Sequence, residues 1–397
     1  MTTVQTYNKN IKLVYSYSFF MAFLVCIPVI VPYWKSYGLT ISQIFTLQGI
    51  FGAALIVFDL PAGYIADLFG RKKTMLIGSI ISALGYMILW QGTTYTHFIF
   101  FEIVVGIGMS LQSGCDVAVL FNSAELAGRK NEIGQFLSRR LSIQNFSEGT
   151  ASLLAAGLTT FSLTWPFLVN AITPWFMVLS AYLIQEPPTE KLNRESHLKN
   201  VKLIGKALFG HSKLLTWVII SFVVYSFATY CAVWSLQPYW QEKGIKPELF
   251  GLLWAANSFA TAFIGFYAKT IERKIGSTGT IVVITVTPII GYLGLGWTGG
   301  LLGLVFAIFF PICRGLNGVL FQEALNNRIP NEIRATANSI GSLGMRAMFL
   351  IFGPLLGWMM DHYGPAAAMK MMSYIYIGLF LVIAWPLLKL RHHFKIH

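Results

Sequence analysis

The stretch Gly63-Tyr-Ile-Ala-Asp67-Leu-Phe-Gly70-Arg71-Lys72-Lys73 joins two long apolar segments through a short basic turn. A degraded copy returns in the second half of the chain as Gly265-Phe-Tyr-Ala268-Lys269-Thr-Ile-Glu272-Arg273-Lys274. Glycines on both sides of the turn permit a tight reversal of the backbone, and Asp67 precedes Arg71 by one helical turn. A basic turn between apolar segments, repeated once in each half of the chain, predicts two related groups of membrane helices.

The composition places most of the chain in a membrane. Hydrophobic residues make up 55% of the 397 residues and charged residues 11%, whereas soluble domains carry about 25% charged residues. Apolar segments long enough to cross a hydrocarbon core recur along the chain. They predict twelve spans, near residues 12–36, 42–66, 74–92, 97–122, 139–161, 165–184, 213–241, 246–268, 278–297, 301–325, 337–360 and 366–390. The predicted fold is an all-α integral membrane protein with 12 transmembrane helices in two pseudo-symmetric six-helix halves.

The longest polar break separates the sixth predicted span from the seventh. The predicted boundaries are an N-terminal half at 1–184, a cytoplasmic linker at 185–212 and a C-terminal half at 213–397. Pro187 and Pro188 end the preceding helix, and the mixture of lysines and apolar residues in the linker predicts a short amphipathic helix. The motif Asn131-Glu132-Ile133 returns as Asn331-Glu332-Ile333. The repeat supports a division into two parallel halves, and a substrate site of such an arrangement is expected between the halves, near the bilayer midplane.

The positions of lysine and arginine predict the orientation of the chain. With the N-terminus inside, most basic residues lie in inner loops and tails, and the exceptions outside are Lys35, Lys243, Lys246 and Lys370. The positive-inside rule then places both termini in the cytoplasm. The net charge of +13 is explained by attraction to an anionic membrane leaflet, which argues against a nucleic-acid partner.

These features resemble the major facilitator superfamily of secondary transporters. Further resemblance, to a poorly characterised bacterial branch, lies in Asp59-Leu-Pro61-Ala-Gly63, in Ser113-Gly114-Cys-Asp116, and in Arg334-Ala-Thr336-Ala-Asn-Ser339 followed by Gly353-Pro354-Leu-Leu-Gly357. The resemblance implies a multi-pass protein of the bacterial cytoplasmic (inner) membrane. It also implies transport by alternating access between two conformations.

The resemblance further implies a charge network at the inner face that holds one conformer closed. The gating candidates near inner helix ends are Asp59, Asp67, Arg71, Lys72 and Glu323. The alternative is that the basic turn only sets the topology, although such a turn requires neither Asp67 nor both glycines. Lys269 stands where the first copy has Asp67, so a weaker network is expected in the C-terminal half.

Two positions depart from the pattern of drug:proton antiporters in this superfamily. Those proteins usually carry Arg-x-x-x-Gly-x-Gly in helix 4, and this chain has Glu102-Ile-Val-Val-Gly106-Ile-Gly108. They also have a Gly-Pro-rich helix 5, whereas the stretch Gly149-Thr-Ala-Ser-Leu-Leu-Ala-Ala-Gly157 contains no proline. Both departures argue against drug antiport.

Ionisable residues inside spans predict the functional site, because a central charge costs about 2.5–3.5 kcal/mol even on mild insertion scales. Guanidinium groups bind carboxylates through two parallel hydrogen bonds, and a carboxyl in a low dielectric can load and release a proton near neutral pH. The substrate-binding candidates are Arg314, Arg346, Asp116, Glu102, Tyr230 and Trp234. The proton-coupling candidates are Glu148 and Asp116.

Each candidate also has a structural interpretation. The two arginines would pair with an internal carboxylate such as Glu148 or Asp116. Asp116 itself would cap a kinked backbone, and Glu102 would simply be hydrated. The aromatic residues would be core or interfacial packing.

The sequence thus predicts a proton-coupled secondary active transporter. Its substrate would be a small or medium organic solute with a carboxylate-like group, such as a metabolite or a siderophore. The alternatives are multidrug efflux by proton antiport and a transporter-like membrane receptor. No enzyme motif is recognisable, and no cofactor or metal is expected. The four cysteines, which lie inside predicted spans, are interpreted as packing residues. The expected partners are the substrate, protons and the lipid bilayer around a monomer.

Overall fold

The computed structural model of the protein describes residues 3–188, 213–298, 300–321, 323–324 and 334–389. Within these ranges the regular structure is helical, joined by short turns and without a strand. The linker from residue 189 onward and the motif copy at 331–333 lie outside the described residues, as does the predicted amphipathic helix.

The chain divides into two compact units. The first comprises Met1–Leu192 with Lys246–Ala256, and the second comprises Asn193–Ile245 with Asn257–His397. The described α-helices up to residue 188 are α1 (Thr3–Ala22), α2 (Ile30–Ser36), α3 (Ile41–Phe69), α4 (Arg71–Gln91), α5 (Tyr95–Gln112), α6 (Cys115–Leu126), α7 (Ile133–Thr159), α8 (Trp165–Ile172) and α9 (Pro174–Leu183). The boundaries proposed for the two halves and the linker stay a prediction.

The helices described beyond the linker begin with a long one. They are α10 (Lys213–Glu242), α11 (Phe250–Trp297), α12 (Gly303–Phe306), α13 (Phe309–Leu316), α14 (Arg334–Tyr363), α15 (Pro365–Leu379) and α16 (Trp385–Lys389). The first residues of α11 belong to the first unit and the rest to the second. Two π-helical turns, Asn317–Phe321 and Phe380–Ala384, follow α13 and α15.

Among the described residues, 10 helical segments are long and apolar enough to cross a membrane. The predicted span 139–161 is missing from this set because α7, although continuous, carries Arg139, Arg140 and Glu148. Two further predicted spans fall on the single segment Pro247–Trp297, which Gly276 interrupts with a φ of 73°. A helix therefore occupies each of the twelve predicted positions, and the predicted all-α, twelve-helix membrane fold is confirmed.

Glycine in left-handed or extended positive-φ conformations ends two of the helices. Gly70, with a φ of 95°, separates α3 from α4, and Gly114, with a φ of 72°, separates α5 from α6. Side chains with a Cβ rarely adopt such values. The second break falls inside the single predicted span 97–122 and places Asp116 in the first turn of α6, where a helix N-terminus favours a negative charge.

Small residues allow α4 and α5 to form the most extensive helix contact of the protein's described part. A Cβ added to Gly78 would lie 2.7 Å from the carbonyl oxygen of Gly108, and one added to Gly108 would lie 2.8 Å from the carbonyl oxygen of Gly78. Backbones that approach this closely leave no space for a side chain. Membrane helices associate through such contacts because lipid offers no hydrophobic driving force between them.

We expect Gly108→Ala to destabilise the protein by about 1–3 kcal/mol, since the added methyl group overpacks the α4–α5 contact. Gly157→Ala is the matched control because nothing lies within 4 Å of the Cβ position in α7. Thermal unfolding in detergent should show a lower melting temperature for Gly108→Ala only. Equal melting temperatures for the two variants would contradict the close approach.

Candidate functional site

The basic turn between α3 and α4 has a carboxylate partner that the sequence did not reveal. Glu186 accepts hydrogen bonds from the backbone N–H groups of Arg71 and Lys72, each at 2.9 Å. It therefore caps the first turn of α4 and places a negative charge at the positive end of the helix. A Cβ on Gly70 would lie 3.0 Å from Glu186 Oε2, so this glycine supplies both the turn and the space for the cap.

Asn10 fixes the chain next to this cap. Its Nδ2 donates to the carbonyl oxygen of Gln185 at 2.8 Å, and its Oδ1 accepts from the N–H of Gln185 at 3.0 Å. A third hydrogen bond, 3.2 Å long, joins Asn10 Nδ2 to Ser123 Oγ. Since Asn10 is 1% exposed, this amide ties α1, α6 and the end of α9 together. The start of the linker is thus held against the basic turn through Gln185 and Glu186.

Asp67, Arg71 and Lys72 lie close to the turn between α3 and α4, but Asp59 does not lie near a helix end, because α3 continues beyond it to Phe69. Asp59 and Asp67 are partly exposed on α3, and Arg71 and Lys72 are partly exposed at the start of α4. The ammonium group of Lys72 lies 5.8 Å from the centre of the Tyr182 ring. These positions leave both the gating role and the topology-only alternative as predictions.

The second copy of the turn carries a positive charge where the first copy carries a negative one. Lys269, at the position of Asp67 in the first copy, forms an ion pair with Glu323 at 2.9 Å. Their side chains are 60% and 37% exposed, and exposed pairs of this kind contribute little stability, about 0–1 kcal/mol. Glu323 therefore has a defined partner in the second unit, and its gating role stays a prediction.

Asp116 forms the most deeply buried ion pair of the described residues in the first unit. Its Oδ2 accepts from Arg140 Nε at 2.6 Å and lies 2.5 Å from Arg140 Nη2. The side chains of Asp116 and Arg140 are 3% and 12% exposed. Asp116 Oδ1 also accepts from the N–H of Val117 at 2.8 Å. The pair joins α6 to α7 and neutralises both charges where they are buried.

Arg140 is the main site residue that sequence reasoning missed, because it was interpreted as an inner-side topology charge. The structure gives Asp116 this arginine as its partner rather than Arg314 or Arg346. The local signal is weak, since Arg139 and Arg140 are adjacent and only one of them turns inward. The substrate and proton roles proposed for Asp116 stay predictions.

Glu102 is buried, with 3% exposure, so the interpretation that it is simply hydrated is wrong. Its Oε1 accepts a hydrogen bond of 2.6 Å from Nε2 of Gln48, which is itself 5% exposed. This bond joins α5 to α3. The hydrogen-bond partner of Glu102 is therefore a neutral amide, whereas the partner of Asp116 is a guanidinium.

Glu148, the predicted proton site, is partly buried on α7. Its Oε1 accepts a hydrogen bond of 3.3 Å from the indole nitrogen of Trp254. Nearby, a Cβ on Gly251 would lie 2.6 Å from the backbone nitrogen of Ala156. The first turn of α11 thus packs closely against α7 within the first unit, and Trp254 fixes the carboxyl of Glu148.

The remaining substrate candidates lie in the second unit. Arg314 on α13 is exposed, and it makes no side-chain hydrogen bond or ion pair with another described residue. Arg346 is partly buried on α14. The rings of Tyr230 and Trp234 lie 6.5 Å apart on α10, and the Tyr230 ring meets Phe349 edge-on at 4.8 Å. The substrate contacts proposed for these groups stay predictions.

The repeated motif after α6 forms a compact polar turn. Arg129 donates to both carboxylate oxygens of Glu132, at 2.7 Å from Nε and 2.5 Å from Nη2. Its Nη1 donates to Asn8 Oδ1 at 3.1 Å, and its guanidinium lies 4.6 Å from the centre of the Phe136 ring. The hydrogen bonds from Arg129 lower the pKa of Glu132 below its ordinary value, so this turn stays ion-paired at neutral pH.

The residues described here do not bring together three or more histidine, cysteine or acidic side chains able to hold a metal ion. All four cysteines are buried and free of disulfides.

Ten described helical segments long and apolar enough to cross a membrane, with one buried ion pair between α6 and α7, define an integral membrane protein. A model of the Major Facilitator Superfamily matches residues 13–349. The chain belongs to this superfamily, and it is a secondary transporter rather than an enzyme.

Similar proteins agree with this assignment. Multidrug resistance protein 2 of Bacillus subtilis (strain 168) is 24% identical, with 95% of this chain and 96% of the relative covered. The uncharacterized MFS-type transporter YxaM of the same organism is 21% identical over 81% of this chain and 84% of its own. Among solved structures, nucleoside transporter NupG superposes with a TM-score of 0.75 at 13% identity and covers 100% of both chains. A D-xylose-proton symporter superposes with a TM-score of 0.67 at 17% identity, over 95% of this chain and 96% of its own. These structures share the fold.

We expect Asp116→Leu alone to destabilise the protein by about 3–5 kcal/mol, because it leaves the Arg140 guanidinium buried without a counter-charge. Arg140→Met alone should act similarly. The double variant should recover most of the loss, since a buried ion pair can often be replaced by apolar residues of similar volume.

Melting temperatures of the four proteins in this cycle measure the coupling between the two residues. Arg139→Met is the control, since the Arg139 side chain is exposed. Additive losses in the double variant would mean that the two charges do not compensate each other.

Proposed function

We propose that this transporter moves a small or medium organic solute with a carboxylate-like group, such as a metabolite or a carboxylate siderophore, by proton-coupled alternating access. The observation that carries the proposal is Arg314, a guanidinium inside the apolar segment Gly300–Phe321. It is exposed and has no ion-pair partner among the described residues.

The contrast with Arg140 supports this assignment. An uncompensated arginine at the centre of a membrane helix costs several kcal/mol, roughly 2.5–3.5 on insertion scales. For Arg140 the ion pair with Asp116 offsets this cost. Arg314 has no such partner among the described residues and stays available to an anion from outside the protein. A planar guanidinium binds a carboxylate through two parallel hydrogen bonds, which a lysine does not reproduce.

The backbone around Arg314 is held firmly, as a binding residue requires. Gly315 packs against α11, where an added Cβ would lie 2.9 Å from the carbonyl oxygen of Thr261. Asn317 donates to Ser226 Oγ on α10 at 2.9 Å and begins the π-helical turn Asn317–Phe321. Such π-helical turns occur frequently at functional sites.

Proton coupling is assigned to Glu148. Its carboxyl lies on a helix inside the predicted membrane region, and the indole of Trp254 donates a hydrogen bond to it. A carboxyl in such a setting can exchange a proton as its surroundings change.

Asp67, Arg71 and Lys72 are proposed to act at the inner gate. Both termini are proposed to lie in the cytoplasm, and the transporter is proposed to be a monomer.

Export of amphipathic drugs is the second candidate. Its support is the 24% identity to Multidrug resistance protein 2 over 95% of this chain. A cationic drug would be attracted by a carboxylate such as Glu148 and repelled by Arg314. A screen of ligand-dependent stabilisation with organic acids, carboxylate siderophores and cationic dyes separates the two functions, because a ligand that binds the folded protein raises its melting temperature.

The probe is the organic acid that most stabilises the protein in this screen. We expect Arg314→Lys to bind this acid about tenfold more weakly, a change of about 1.4 kcal/mol, because a point charge replaces the planar guanidinium. The apo protein should melt near the wild-type temperature. Arg273→Lys is the matched control, because Arg273 is an exposed arginine of the same unit. Unchanged affinity for the acid in both Arg314→Lys and Arg314→Gln would rule out Arg314 as the anion site.

For Glu148→Gln in proteoliposomes, we expect loss of uptake driven by a pH gradient, with exchange of labelled for unlabelled substrate retained. The amide keeps an acceptor for Trp254 but carries no exchangeable acid proton. Full accumulation by this variant would remove Glu148 from the coupling mechanism.

A further inference from the structure

The first unit contains a second buried carboxyl besides that of Asp116. Glu102 lies inside α5 and is 3% exposed. Gln48 on α3 donates from Nε2 to Glu102 Oε1 at 2.6 Å. Glu102 Oε2 receives no hydrogen bond from the described residues.

The groups around Glu102 provide no positive charge. Cys26, in the turn after α1, and Tyr86, on α4, are the titratable groups close enough to interact with it electrostatically. Both are neutral at physiological pH. Among the described residues no lysine, arginine or histidine lies within ion-pair distance. His97, the nearest histidine along α5, instead bonds through Nδ1 with Thr94 at the start of that helix.

A buried carboxylate with one neutral donor is expensive to keep ionised. A single hydrogen bond contributes about 0.5–3 kcal/mol net, even to a charged group. The effective desolvation cost of a buried ion is several kcal/mol. Asp116 offsets this cost with Arg140, and Glu102 has no equivalent partner in the described structure. Uptake of a proton on Oε2 removes the charge while Oε1 keeps its bond from Gln48.

The packing around Glu102 leaves room for little else. One turn further along α5, a Cβ on Gly106 would lie 2.6 Å from the Cβ of Ala54 on α3. The two helices that carry Gln48 and Glu102 are therefore in direct contact next to the carboxyl. An organic solute does not fit between helices packed in this way, which argues against a substrate-binding role for Glu102.

We propose that Glu102 and Gln48 form a proton-binding site of the first unit, separate from Glu148. The proton comes from water and is held on Glu102 Oε2, with no other bond made or broken. Its use in transport rests on the proposed function, and the binding of the proton itself does not. Two proton sites would allow the uptake of an anionic solute to move net positive charge.

Infrared spectroscopy of the purified protein tests the site without substrate or gradient. The C=O stretching band of a protonated carboxylic acid should be present at neutral pH and decrease at higher pH. We expect Glu102→Gln to remove this band and Glu132→Gln, the matched control, to retain it, because the hydrogen bonds from Arg129 lower the pKa of Glu132 and keep it ionised at neutral pH. Gln48→Leu removes the donor that favours the ionised form, so the band should persist to higher pH in this variant.

A band of equal size in wild type and Glu102→Gln would overturn the proposal. Loss of the wild-type band on adding sodium at constant pH would also overturn it, by showing a cation site. If Glu102→Gln does not fold, Gln48→Leu tests the proposal instead. A band that Gln48→Leu leaves unchanged in frequency and pH range would arise from another carboxyl and would contradict the proposal. Failure of organic-acid transport would leave the band in place, so the two proposals fail separately.

Discussion

The free-energy cost of an ionised group in hydrocarbon governs how this chain is built. Segments that cross the membrane are apolar over their length, and the basic residues collect where helices leave it. Each charge that enters the helical interior then needs a compensating partner. Asp116 has Arg140 at 2.5 Å, and Glu102 has only the amide of Gln48. Two carboxyls that look alike in the sequence therefore have different partners: Asp116 belongs to a buried ion pair, and Glu102 belongs to the site for which we propose proton binding.

The same constraint connects the basic turn with the rest of the first unit. The orphan N–H groups at the start of α4 are satisfied by the carboxylate of Glu186, and Asn10 holds the preceding residue, Gln185, through both of its backbone polar groups. A change in the position of the linker would therefore act directly on the turn that carries the proposed inner gate. In the second unit, Arg314 lies in an apolar segment and has no ion-pair partner among the described residues, and the counter-charge that we propose for it is an anionic substrate.

The helices could be predicted from sequence, because they follow from local hydrophobicity and length. The predicted span 139–161 illustrates this: its polar residues lower the hydropathy of α7, yet its length and flanking turns still mark a helix. The partners could not be predicted, since they depend on tertiary packing. Asn10 and Gln185 are distant in sequence, and neither has a local motif. Arg140 resembled a topology charge until the orientation of α7 placed it against Asp116, and Glu102 resembled a hydrated residue until α3 covered it with Gln48.

Accumulation in proteoliposomes tests the central claim, which is proton-driven transport of an organic anion. The probe is the labelled organic acid that most stabilises the purified protein, with a cationic dye measured in parallel. An imposed pH gradient should drive accumulation of the acid above its external concentration, and a protonophore should abolish it. Binding of the acid without accumulation would indicate a receptor, and gradient-driven movement of the dye alone would indicate drug export. Either result would contradict the proposed function.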